Sequence, residues 1–153
     1  MSNNDFNERI SAIEAKIKIK ELVDNFAILG DQKKLKEQSL LFTEEGIVEL
    51  YFNDQLASTL KGRKEIEDVF TAFTKTFETV YHFNGQHTIT INGNKSTGIA
   101  YCLTVLVGEE NGKKIKTTYG IRYQDEYVYE TNQWLIAKRK STFAWQDKEE
   151  LGQ

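Results

Sequence analysis

Residues 97–145 read TGIAYCLTVLVGEENGKKIKTTYGIRYQDEYVYETNQWLIAKRKSTFAW, and this stretch decides the fold class. Glu110-Asn111-Gly112 and Thr131-Asn132 carry the residue types that tight hairpin turns use. Around them Thr97–Gly108, Lys114–Glu130 and Gln133–Trp145 are rich in β-branched and aromatic residues, which predicts three long antiparallel strands. Strands of this length coil, because their right-handed twist accumulates. Just upstream, Gln86–Asn92 alternates polar residues with His87, Ile89 and Ile91, and Asn92-Gly93-Asn94 supplies another turn.

Working toward the N-terminus, Gly62–Val80 places Ile66, Val69, Phe70, Phe73, Phe77 and Val80 three and four residues apart. That is a helical stripe that demands burial. Val48, Leu50 and Phe52 alternate with Ile47, Glu49 and Tyr51 after a turn-like Thr43–Gly46, and Asn53-Asp54 separates this strand from a return over Leu56–Leu60. The first helix is expected over about Asn7–Leu29, with Ile10, Ile13, Ile17, Leu22, Val23 and Phe26 on its apolar face. Gly30 suits a left-handed helix end, and Asp31 suits the N-cap of a short helix over Gln32–Ser39.

The expected fold is therefore α+β: a conical, strongly curved, mostly antiparallel sheet with about three helices from the N-terminal half packed over its concave face. A hollow covered in this way makes a pocket. With no proline and no linker-like stretch, residues 1–153 read as one domain, with tails over about 1–6 and 147–153.

Lys plus Arg number 20 against 23 Asp plus Glu, a net charge of -3, which argues against a surface that tracks phosphates. Nucleic acid is not an expected partner. No apolar run approaches the ~20 residues of a membrane helix, and the polar start lacks the order of a secretory signal. Cys102 is the only cysteine, so no intrachain disulfide can form, and a cytoplasmic location is the expectation. Neither HxH nor HExxH spacing occurs, nor a phosphate-binding or dinucleotide fingerprint, so no metal and no cofactor are expected.

Several segments stand in an order that resembles the SnoaL-like branch of the nuclear transport factor 2-like superfamily. They are Asp31 after the first helix, Leu41-Phe42-Thr43-Glu44-Glu45-Gly46, Gly62-Arg63-Lys64-Glu65-Ile66 and His82-Phe83-Asn84-Gly85-Gln86-His87. Gly120-Ile121-Arg122-Tyr123-Gln124-Asp125 and Trp134-Leu135-Ile136-Ala137-Lys138-Arg139 complete the series, which spans nearly the whole chain. The resemblance implies the cone, frequently a homodimer packed through the outer face of the sheet, and relatives that include polyketide cyclases, dehydratases, steroid isomerases and non-catalytic binding domains.

The resemblance also implies that His82 is the general acid/base of a dehydratase-like site and Asp31 the carboxylate that orients it. An imidazole titrates near neutrality and can move a proton beside a carbonyl. Each residue has a plainer reading: His82 bonded between a helix end and a strand, and Asp31 as a cap. His87, on the parity of Ile89 and Ile91, reads as structural, paired with Asp31 or a carbonyl. Phe26 stands where dehydratase-like relatives carry a tyrosine, so a hydrogen-bond donor is missing there. Tyr51, Tyr101, Tyr119 and Tyr123 are the possible replacements. Phe26, Tyr51, Tyr101, Tyr119, Arg139 and Trp145 are the expected contacts to a small hydrophobic ligand, with Arg139 at the cone mouth or else on the solvated face. The strand Thr97–Gly108 lacks the extra carboxylate of steroid isomerase-like sites and offers Cys102 and Thr104 instead. The expected activity is a cofactor-independent lyase or isomerase acting on a carbonyl-bearing ring compound. The alternative is a non-catalytic ligand-binding or dimerisation domain.

Overall fold

The computed structural model describes residues 2–152; Met1 and Gln153, which fall in the expected tails, lie outside the described residues. The element order is α1 (Asn3–Asp31), α2 (Leu35–Ser39), β1 (Phe42–Phe52), β2 (Gln55–Lys61), α3 (Arg63–Thr74), β3 (Thr79–Asn92), β4 (Lys95–Glu110), β5 (Lys113–Glu130) and β6 (Gln133–Glu150). The six strands form one open sheet in the order β2-β1-β6-β5-β4-β3. Only the β1–β6 pair is parallel. This is the expected α+β cone, with its helices in the N-terminal half of the chain.

Alternation on β4 shows how the sheet divides inside from outside. Ala100, Cys102, Thr104 and Leu106 are buried on the concave face, while Ile99, Tyr101 and Leu103 are exposed on the convex one. The helices cover the concave face, and Ile19, Leu22, Val23 and Phe26 of α1 meet Phe42, Val48, Ile66, Ile121, Tyr123 and Ile136 in one core. Burying a side chain of this size is worth roughly 1.5–3 kcal/mol, so this cluster is what holds α1 to the sheet.

Several local expectations are corrected. Ile10, Ile13 and Ile17 are exposed, because the side of α1 turned toward the strand ends here carries Glu8, Ser11, Ala12 and Ala15 instead. The helical stripe expected through Val80 stops at Thr74, and Val80 begins the inward face of β3. Thr43–Gly46 is an irregularity within β1 rather than a turn, since Phe42 pairs with Ile136 and Ile47 with Lys138. β6 continues to Glu150, so residues 147–150 pair with β5 instead of forming a tail.

β3 carries one further irregularity that matters for the site. Its pairing with β4 shifts between Asn84 and His87. A bulge of this kind changes which parity faces inward. His82 and Asn84 therefore point to the concave side before it, and His87, Ile89 and Ile91 after it.

Candidate active site

Asp31 is the last residue of α1, where a carboxylate has the wrong sign for the helix dipole. It does not cap α2, whose N-cap is Lys34 with no side-chain bond. Its charge is met from the sheet instead. The backbone N–H of His82 donates to Oδ1 and Oδ2 at 3.0 and 3.2 Å. The His82 Nδ1 stands 2.6 Å from Oδ1. An N–H donated from Nδ1 to a carboxylate fixes the imidazole tautomer and leaves Nε2 with the lone pair, ready to take a proton.

Gly30 makes this approach possible for a reason other than the expected one. It is helical, and the left-handed residue after α1 is Lys33, at φ 55°. A Cβ on Gly30 would lie 2.8 Å from Gln38 Nε2 and 3.4 Å from His82 Cε1. An added methyl would displace the end of the Gln38 side chain and touch the His82 ring.

His82 lines a cavity of about 230 Å³ enclosed by α1, α2, α3 and the concave sheet. Phe26, Leu35, Val69, Phe70, Leu106, Ile121 and Phe143 supply apolar wall, and half-exposed Phe52 and Phe73 stand at the rim. Val69 and Phe73 escape full burial because they face this hollow. The polar groups on the lining are Gln38, Thr74, Thr104, Tyr119, Tyr123 and Ser141. Burial pushes the Tyr123 phenol well above its ordinary range, so it stays a neutral hydroxyl. Burial likewise raises the Cys102 thiol, which suits core packing and not a nucleophile.

Of the residues expected at the site, the structure brings together His82, Asp31, Phe26 and Tyr119. Four are corrected. Tyr101 and Trp145 lie on the convex face, where the Trp145 indole covers Gly120 at a bulge in β6. Tyr51 is outside the cavity, with Lys140 Nζ 4.3 Å from its ring centroid. Arg139 is neither at the mouth nor solvated. It is 0% exposed, gives Nε and Nη2 to Asp125 Oδ1 and Oδ2 at 2.8 and 2.7 Å, and lies over the rings of Tyr123 and Phe26 at 3.9 and 4.3 Å. The Asp125 charge keeps this guanidinium ionised despite burial. Asp125 also accepts from Tyr127 Oη at 2.7 Å, and Tyr127 meets His87 Nε2 at 3.1 Å. His87 is thus bonded to a phenol and not to Asp31. Arg63 donates through Nε and Nη2 to the Phe42 carbonyl at 2.9 and 2.7 Å.

The Asp125–Arg139 pair was missed in the sequence. A two-residue turn at Thr131-Asn132 sets Asp125 opposite Lys138, but pairing shifts between Glu126 and Tyr127, leaving Ala137 unpaired and moving Arg139 into register. Gln38 was missed as well, since a polar residue in a five-residue helix carries no signal. Among the described residues no cluster of His, Cys, Asp and Glu could hold a metal ion. No helix among them is long and apolar enough to cross a membrane.

The model of the SnoaL-like domain matches residues 11–140, and the chain belongs to that family. Among solved structures it is similar to a provisionally named scytalone dehydratase from Novosphingobium aromaticivorans, with a TM-score of 0.76 at 16% identity, covering 96% of this chain and 93% of that one. It is also similar to a hexachlorocyclohexane dehydrochlorinase, at 0.77 and 15%, over 94% and 93% of the two chains. An NTF2-like protein with a cystatin-like fold from N. aromaticivorans superposes at 0.70 and 19%, over 93% and 90%. At these identities the likeness is one of fold. No curated protein matches the chain.

Proposed function

We propose that the chain is a cofactor-independent lyase or isomerase that moves a proton on a small, hydrophobic, carbonyl-bearing ring compound. His82 acts as general acid/base through Nε2, and Asp31 positions it. The observation that carries this reading is the 2.6 Å His82–Asp31 contact beside a largely apolar cavity of about 230 Å³. A dry wall strengthens the electrostatics of the dyad and excludes competing solvent. Phe26 cannot polarise a substrate oxygen, so that task falls to a hydroxyl of Thr104, Tyr119 or Tyr123, which stand on the same concave sheet face as His82, with Thr104 its cross-strand partner. The names of the dehydratase and dehydrochlorinase with the same fold fit an elimination or proton-transfer class.

The test is deuterium exchange of the protons next to the carbonyl in a panel of cyclic ketones, followed by NMR. Wild type is expected to accelerate exchange in at least one ketone, and His82→Ala to lose about 10²-fold or more of that rate. Equal rates in both proteins would remove His82 from the chemistry.

A non-catalytic binding domain is the second reading, favoured by the absence of a carboxylate among the cavity-lining side chains. Binding of a ketone with no exchange in any member of the panel would select it. The proposal includes a homodimer through the convex face, where Phe83 is 64% and Trp145 51% exposed beside Tyr81, Tyr101 and Leu103. Contiguous apolar surface of this kind marks an interface. Sedimentation as a monomer at micromolar concentration would overturn it. A cytoplasmic location accords with the single, buried, free Cys102, and cell fractionation tests it.

A further inference from the structure

Phe6, Ile10, Ile13 and Ile17 of α1 are 42–53% exposed. Their steps of four, three and four residues are those of a heptad seam, with Ile10 and Ile17 at a and Phe6 and Ile13 at d. At about 100° per residue the four lie within an arc of about 60°. That arc points roughly 160° away from the side on which Ile19, Leu22, Val23 and Phe26 enter the core. Ser2 caps the helix by accepting from the Asp5 N–H at 3.2 Å, so Phe6 stands on an ordered turn. At the other end the next two seam positions are Lys20 and Asp24, which pair with each other, and the apolar stripe stops there. An arc this narrow suits one neighbouring helix, since packing on a sheet takes a broader apolar face.

The charges beside the seam identify that neighbour. Position g carries Arg9 and Lys16, both basic, and position e carries Glu14 and Glu21, both acidic. In a parallel pair of helices each g residue meets the e residue of the following heptad on the other helix. Two copies of this α1 would therefore set Arg9 of one against Glu14 of the other, and Lys16 against Glu21. An antiparallel pair sets g against g and e against e, which here is base against base and acid against acid. Glu21 also holds Lys18 at 2.9 Å on the exposed surface, and a carboxylate can accept from both lysines. An anionic lipid surface is a poorer match, because Glu14 and Glu21 would face it along one whole side of the stripe.

We infer that the N-terminal half of α1 is a self-association surface, on which a second copy of this chain lays its own α1, parallel and in register from Phe6 to Ile17. The contact is isologous, with its two-fold axis along the helices and the two domains on opposite sides of it. It is separate from the convex face of the sheet, so it joins dimers where that face joins monomers. Phe6 to Ile17 spans only about 18 Å of helix. So short a seam falls below the size of a stable interface, and association through it is expected near 100 µM, roughly, and not at micromolar concentration.

The experiment traps the contact as a disulfide in the full chain at about 100 µM. Ile17→Cys is the probe, and Glu8→Cys, exposed on the side of α1 away from the stripe, is the collision control. The natural Cys102 is buried and common to both. In a parallel pair the two probe cysteines face each other; in an antiparallel pair they stand about 16 Å apart, beyond the roughly 7 Å a disulfide can span. Ile17→Cys is expected to form covalent dimer at least about tenfold faster than Glu8→Cys. Adding Arg9→Glu with Lys16→Glu is expected to abolish that excess, and adding Glu14→Lys with Glu21→Lys as well to restore it. Equal rates for the two cysteine variants overturn the inference. So does an excess that survives Arg9→Glu with Lys16→Glu, or one that the full exchange does not restore. Flotation of wild type with anionic vesicles, without excess trapping, assigns the stripe to a membrane and overturns it too.

Discussion

Changing Asp125 to Asn removes one unit of charge from a pair whose side chains are 0% and 1% exposed. The variant keeps the shape of the side chain but leaves the Arg139 guanidinium buried with no counter-charge, in contact with Tyr123 and Phe26. One of the two guanidinium N–H groups also loses its acceptor, since an amide presents an oxygen on one side only. Breaking a buried pair by removing one partner costs about 3–5 kcal/mol. That is a large share of the roughly 5–15 kcal/mol that holds a domain together. With a urea dependence of about 2 kcal/mol per molar, a loss of about 4 kcal/mol lowers the unfolding midpoint by about 2 M. The assay is equilibrium urea unfolding followed by tryptophan fluorescence and circular dichroism. Replacing both partners, Asp125→Leu with Arg139→Met, is expected to recover most of the loss, because the unpaired charge goes too. A single variant within about 1 kcal/mol of wild type would refute the reasoning, since the penalty worked out here is at least three times that. So would a double variant as weak as the two singles combined.

Gly30→Ala gains about 1 kcal/mol of helix propensity but forces a methyl against Gln38 and His82, an overpacking cost of about 1–3 kcal/mol. The expected net effect is a lower melting temperature; a higher one would show that the clearance is not needed. His87 is pushed below its ordinary value near 6.5, chiefly by desolvation, with Asp125 and Asp24 raising it and Arg139 and Lys20 lowering it. The unfolded chain therefore takes up the proton first on acidification, so this contribution to stability is intact above about pH 6.5 and is lost as the pH falls from there toward the folded value. Wild type should accordingly lose more stability than His87→Gln between about pH 7.5 and pH 5.5 in urea titrations, and parallel losses would contradict the assignment. Phe83→Glu places a charge at the most exposed large apolar side chain of the convex face and should give a monomer in sedimentation. A dimer that persists would move the interface elsewhere.

The architecture was legible because its signals are local. Turn residues at Asn111-Gly112 and Thr131-Asn132 delimit the long strands, which the structure places at Lys95–Glu110, Lys113–Glu130 and Gln133–Glu150. The family likeness also implied that His82 and Asp31 stand near one another. The local reading failed where one residue had two plausible jobs. Gly30 and Asp31 look like a helix stop and a cap, yet one serves as clearance and the other as an acceptor for His82.

Residue pattern alone thus carries the α+β order and the helical faces near Phe26 and Ile66, whereas the candidate dyad came from the family likeness. The pattern does not carry register. Bulges at Gly85–Gln86, Ala137 and Ala144 each change which parity faces the hollow, so whether His87, Arg139 or Trp145 lies within, beneath or outside the cavity depends on pairings between distant strands. A single inserted residue costs little locally and inverts every side chain beyond it. Only the folded sheet decides which alternative holds.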